Sequence, residues 1–120
     1  MGDYKKLRVW QEAREFTRDV YRVTAEFPFR ERFGLTVQIR RAAVSIMANI
    51  AEGCGRNRDG ELTRFLSIAR GSATEVECHL LIAEDQGFLK HSFAAELRRR
   101  LDRIQRMLTL LMRRLRAHSS

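Results

Sequence analysis

The sequence predicts an all-α protein, an antiparallel up-down-up-down four-helix bundle forming one domain over residues 1–120. Three observations carry this expectation. Apolar residues recur every three or four positions through four long segments, the spacing of an amphipathic helix. One proline, seven glycines and no convincing alternation of apolar and polar residues leave the all-β and α/β classes little support. The segments are joined by short connections, which make successive helices antiparallel.

The first helix is expected from about Lys5 to Glu26, on the repeat of Leu7, Trp10, Ala13, Phe16, Val20, Val23 and Phe27. Pro28 then biases Phe27 away from helical geometry. The second carries Leu35, Ile39, Ala42, Ala43, Ile46 and Ile50 on one face, and Gly53 and Gly55 are expected to end it with a left-handed cap. The third is capped by Asp59, turns Leu62, Phe65, Leu66, Ala69, Ala73, Val76, Leu80 and Ala83 inward, and closes at Gly87. The fourth is capped by Ser92 with Glu96 nearby, and its seam is Phe93, Leu97, Leu101, Ile104, Leu108, Leu111 and Leu115.

Charge narrows the partners. The chain has 23 Lys and Arg against 15 Asp and Glu, a formal charge of +8, and 20 of the basic residues are arginine. The excess is local, because residues 92–120 hold eight basic and two acidic side chains. Two cysteines, Cys54 and Cys78, are too few for a disulfide framework, and no apolar run approaches the roughly 20 residues of a membrane span. A soluble, cytoplasmic protein is expected, without a leader for export.

An enzyme is not expected. Metal-binding bundles use Glu-x-x-His pairs, yet Val76, Phe88 and Leu115 stand three residues before His79, His91 and His118. Glu75 and His79 are four apart, a spacing more often used by a surface or interface ion pair than by a ligand set. Cys78 has no evident His and carboxylate orienter, and Gly53, Gly55 and Gly60 lack the strand and Gly-Lys-Ser/Thr ending of a phosphate loop. Neither a metal nor a cofactor is expected, nor a small-molecule substrate.

Two stretches, RRAAVSIMANIAEG from Arg40 to Gly53 and RFLSIARGSATEVE from Arg64 to Glu77, place polar residues on otherwise apolar helices. Gln38, Arg41, Ser45, Asn49, Glu52 and Arg56 follow at spacings of three and four, a stripe beside the apolar face. Ile68, Gly71, Glu75 and Ile82 form a further face, on which Gly71 would let another backbone approach. The structural reading is that Asn49, Glu52, Arg70 and Glu75, with Arg41, Ser45 and Ser72, give register through hydrogen bonds and ion pairs within or between subunits. The functional reading places some of them, with Gly53, Gly55 and the Arg56 to Arg58 loop, on a surface that touches RNA or a protein.

At these residues, and at Leu7, Val9, Trp10, Ala13, Val20, Tyr21, Thr24, Phe27, Pro28, Gly34, Leu35 and Gln38, the chain resembles a family of bacterial four-helix bundles, the 23S rRNA-intervening sequence proteins, also described as ribosomal-protein-like. The resemblance covers nearly the whole chain. It implies a bundle subunit that assembles into a ring, typically a homopentamer, and an association with RNA metabolism. A related basic pentamer is the accessory protein of reverse transcriptases in diversity-generating retroelements, so a polymerase-partner role lies within the range implied. Many members carry proline, an aromatic residue and leucine where Met47, Cys54 and Ala73 stand here. Those departures bear on packing and leave Arg41, Asn49, Glu52, Arg70, Ser72 and Glu75 in place.

The fourth helix supplies the clearest functional clue. At about 100° per residue, Arg98, Arg99, Arg103, Arg106, Arg113, Arg114 and Arg116 centre nearly opposite the seam, with Arg100 on the flank. Only Glu96 and Asp102 could neutralise them from within the helix. An arginine fork matches phosphate oxygens, so RNA or a ribonucleoprotein is the expected partner, bound along its backbone with little sequence specificity. No aromatic platform for stacking bases is interleaved with these arginines. The alternatives are an oligomeric protein-interaction scaffold that does not touch nucleic acid, and an ordinary solvated charged face.

Overall fold

The computed structural model describes residues 2–119, the side chain of Ser119 excepted, and these form a rod 48 × 22 × 20 Å. Four helices account for it: α1 (Arg8–Thr24), α2 (Leu35–Cys54), α3 (Asp59–Asp85) and α4 (His91–Ser119). Short 3-10 turns precede α1 at Tyr4–Lys6 and α2 at Phe29–Glu31. Cross-helix contacts run in opposite order along each neighbouring pair, as an up-down-up-down bundle requires. Thr24 meets Arg40 and Thr17 meets Ala43, whereas Ser45 meets Ser72 and Gly53 meets Leu62. Each helix borders two others, α2 and α4 for both α1 and α3.

The ends of the helices show where local chemistry overrides periodicity. Asp3 accepts the Lys5 amide at 3.0 Å and winds a separate turn, Leu7 is extended, and α1 therefore starts at Arg8 rather than Lys5. At its other end the bonds tighten to Glu26 N–Val23 O and Phe27 N–Thr24 O, so the helix proper stops at Thr24. Val9, Thr17 and Thr24 join the buried face of α1, and the Thr17 and Thr24 hydroxyls donate to the Ala13 and Val20 carbonyls at 2.8 and 2.7 Å.

Gly53 and Gly55 do not form a left-handed cap: Gly53 lies inside α2, and Gly55 has φ −79°. Gly53 serves packing instead. A Cβ built on it would fall 2.9 Å from both Leu62 Cδ1 and Phe65 Cβ, so the missing side chain is what lets α2 seat on α3. Asp59 is the first residue of α3 and not its cap; it and Glu61 act through charge at the positive end of the helix. Gly87 does close α3 as expected, with φ +75°, while its amide and that of Phe88 donate to Glu84 O and Ala83 O, a Schellman motif.

The α4 helix begins at His91, and the Lys90 carbonyl accepts the Ala94 amide at 3.0 Å, so Ser92 is already helical and does not cap it. Its buried line is Ala94, Leu97, Leu101, Ile104, Leu108, Met112 and Leu115. Phe93 and Leu111, expected in the seam, lie at its edge, and Phe93 is 54% exposed. A strict alternation of four and three drifts off a straight helix of 3.6 residues per turn, which brings Ala94 and Met112 inward instead.

Candidate functional site

The α4 arginines divide into two groups. Toward the start of the helix each one meets a carboxylate. Arg98 is half-buried on the side facing α3, with Nη2 3.4 Å from Glu84 Oε1. Arg99 grips Glu96 through Nη2 at 2.7 Å and Nε at 3.0 Å; that hydrogen bond holds the Glu96 carboxyl below its ordinary range and the guanidinium above its own. Arg100 and Arg103 reach α1, at 2.6 Å from Asp19 Oδ2 and 3.4 Å from Glu12 Oε1. Arg106 pairs with Asp102 at 2.7 Å.

Toward the end of the helix the pattern changes. Arg113, Arg114 and Arg116 are exposed, and no ion pair joins them to any described residue. Arg113 shares a groove of about 740 Å³ between α3 and α4 with Arg70, Gly71, Arg106 and the half-exposed Leu110. Arg70 is likewise exposed without an ion pair among the described residues, while Glu77 and Asp102 are the acidic residues lining the groove. The seven arginines therefore do not form one free stripe. Within α4, the arginines without an ion pair to a described residue stand in its last turns, and Arg70 lines the same groove as Arg113.

The polar set on α2 and α3 divides as well. Ser45 Oγ and Ser72 Oγ lie 2.8 Å apart across the seam, and Asn49 Nδ2 donates to Ser45 O at 2.8 Å and Ser45 Oγ at 3.0 Å. These three account for register within the chain. Glu52 near the end of α2 pairs with Arg56 just beyond it, and Glu75 pairs with His79 one turn on in α3, both at 3.2 Å. Arg41 and Arg70 receive no carboxylate among the described residues, and a Cβ built on Gly71 would meet nothing within 4 Å beyond its own turn of helix. Gly71 thus sits on the outer surface of α3 between the exposed Ile68 and Ile82, while Gly53 belongs to the interior and to no outer face.

One group of residues escaped the sequence reading. Phe29 and Phe33, in the α1–α2 connection, are 76% and 81% exposed, and the Arg32 guanidinium stands 3.8 and 4.7 Å from their ring centroids. The signal was the run FPFRERF, three phenylalanines and two arginines within seven residues between α1 and α2.

Among the described residues no three His, Cys, Asp or Glu side chains are grouped to hold a metal. Burial pushes the Cys54 thiol up, which keeps it neutral and unreactive, while Cys78 is exposed. No described helix is long and apolar enough to cross a membrane.

No curated protein matches the chain. A crystal structure of a protein of unknown function from the S23 ribosomal protein family of Bacteroides thetaiotaomicron superposes with a TM-score of 0.78 at 21% identity, over 87% of this chain and 97% of that one. This likeness establishes the fold. The family model described as 23S rRNA-intervening sequence protein matches residues 5–110, and the chain belongs to that family.

Proposed function

We propose that the protein is a non-enzymatic, self-associating bundle of the cytoplasm that binds RNA, or a particle containing RNA, along its phosphate backbone. The binding surface is the last turns of α4 together with Arg70. The observation that carries this reading is the contrast along α4: five arginines pair with carboxylates, whereas Arg113, Arg114 and Arg116 pair with none among the described residues. Guanidinium groups without an acidic neighbour are free to release phosphate counterions, and each such contact adds to affinity at low salt. The family's name, which refers to an intervening sequence of 23S rRNA, agrees with an RNA partner.

Self-association supports the same function. The exposed Ile68 and Ile82, with Gly71 and the Glu75–His79 pair between them, offer a mixed face on α3 for a second copy, and the resemblance points to five subunits. Repeating a weak cationic site around a ring turns modest attraction into useful avidity. Light scattering coupled to size separation tests the assembly, with Gly71→Leu expected to lower the measured mass. An RNA titration on the same samples tests the function. A monomeric parent chain that ignores RNA would end this proposal.

The five arginine–carboxylate pairs favour a second reading, an oligomeric scaffold that recruits a protein and leaves nucleic acid alone. It predicts an absorbance ratio free of nucleic acid after purification and binding indifferent to nuclease. The first reading predicts co-purified nucleic acid that nuclease removes.

A further inference from the structure

The strongest feature outside α4 is a groove of about 620 Å³ between α1 and α2, lined in part by Tyr21, Arg32, Arg40, Arg41 and Val44. It holds three arginines, and no carboxylate lines it. Two of the three are also held without losing charge, and Arg41 is exposed. Arg40 donates from Nε to Thr24 Oγ1 at 2.8 Å and from Nη2 to the Tyr21 carbonyl at 3.2 Å, and Arg32 donates from Nη1 to the Phe29 carbonyl at 3.0 Å. All these acceptors are neutral. Glu31, the acidic residue beside Arg32, is occupied in capping α2, where its Oε1 accepts the Leu35 amide at 3.1 Å.

Aromatic rings flank these charges. Tyr21 is 45% exposed with the Arg40 guanidinium 4.6 Å from its centroid, and Arg32 leads directly to Phe29 and Phe33. Large exposed rings lose favourable burial unless something covers them, and Phe29 and Phe33 flank one guanidinium in a single short connection. Guanidinium groups beside stacking surfaces are the recurring chemistry of single-strand nucleic-acid sites, because the charges follow the backbone and unpaired bases cover the rings.

We infer that the α1–α2 groove and the Phe29/Phe33 connection form a second binding site, one that takes a single-stranded nucleic acid by stacking bases on Phe29 and Phe33 while Arg32, Arg40 and Arg41 meet phosphates. It stands independently of the α4 surface. The α4 surface is backbone-directed and accepts paired or unpaired RNA alike; this one requires unstacked bases, so a continuous duplex is excluded from it.

The test is fluorescence anisotropy with a labelled, unstructured 15-nucleotide RNA, the same sequence as DNA, and a 15-base-pair RNA duplex. The proteins are the full chain, F29A/F33A, R41A and R113A/R114A/R116A. F29A/F33A is expected to bind the single strands about tenfold more weakly at an unchanged salt slope, with duplex affinity retained. R41A is expected to lower the single-strand salt slope by about 0.7. RNA and DNA strands losing affinity equally would assign the site to bases and phosphates, and a loss confined to RNA would add the 2′-hydroxyl; either supports it. Single-strand binding by F29A/F33A equal to that of the parent overturns the inference. So does a fall in the mass of the assembly for that variant, which would assign the rings to contacts between copies. Loss in R113A/R114A/R116A alone would leave the α4 proposal standing and remove this one, whereas loss in F29A/F33A alone would do the reverse.

Discussion

Arg100 Nη1 lies 2.6 Å from Asp19 Oδ2, so the arginine that helical spacing puts on the flank of the cationic stripe is a strut between α4 and α1. Both side chains are about one-quarter to one-third exposed, and the guanidinium also stands 5.8 Å from the Phe16 ring centroid. Arg100→Ala is therefore expected to cost about 1–2 kcal/mol, as loss of a partly desolvated charge-assisted hydrogen bond and its packing. RNA affinity should stay within about twofold of the parent. Urea unfolding and a parallel titration check both halves; a stable variant that no longer binds RNA would move Arg100 onto the binding surface.

Asp102 restrains Arg106 at 2.7 Å within the α3–α4 groove. Asp102→Asn removes the competing carboxylate and leaves the side chain's shape nearly unchanged. RNA binding should tighten two- to fivefold, and the salt dependence should steepen by about 0.7–0.9 in slope as one more phosphate contact forms. Weaker binding by D102N would mean that the acidic residue, rather than the arginine, faces the partner.

Gly53 is the position where a methyl group costs most. Alanine is the better helix former by about 1 kcal/mol, yet its Cβ would meet Phe65 Cβ at 2.9 Å, a backbone-anchored atom that cannot swing aside. Gly53→Ala is expected to destabilise the fold by about 1–3 kcal/mol, read as a lower urea midpoint. Gly60→Ala is the control: nothing stands within 4 Å, and the same substitution should be neutral or stabilising.

Cys54 and Cys78 are expected to separate in reactivity. Burial raises the Cys54 thiol while Cys78 is exposed, so one equivalent of thiol reagent should react promptly at pH 8 and the second only on unfolding. The sign for stability follows. With its folded pKa above the unfolded one, Cys54 keeps its proton in the native state when the unfolded chain has lost it, so stability falls as pH rises past the unfolded thiol range, near 8.5–9. Cys54→Ala should flatten that alkaline decline, and an unaltered profile would assign it to other groups.

The helices were legible because their cause is local: Ile39, Ile46 and Ile50, or Leu62, Leu66 and Leu80, bury one face at a period any reader of the sequence can count. Gly87 was legible too, since a left-handed closure favours glycine. What could not be read was pairing between helices. Glu12, Asp19 and Glu84 come from α1 and α3, so nothing in the α4 sequence reveals that Arg103, Arg100 and Arg98 meet them. Gly53 misled for a related reason, because a glycine that admits a neighbouring helix and a glycine that ends its own look alike until Phe65 is placed. Phe29 and Phe33 were not legible because helical periodicity carries no information about side chains in a short connection.

The central claim is that Arg113, Arg114 and Arg116, which no carboxylate of the described residues neutralises, meet RNA phosphates, and the slope of log affinity against log salt measures this directly. Compared with the parent chain, R113A/R114A/R116A should lose affinity at low salt and shed about 2–3 units of slope on duplex RNA, while R99A, whose guanidinium is held by Glu96, should shed less than one. Coincident lines for the parent and the triple variant would contradict the account.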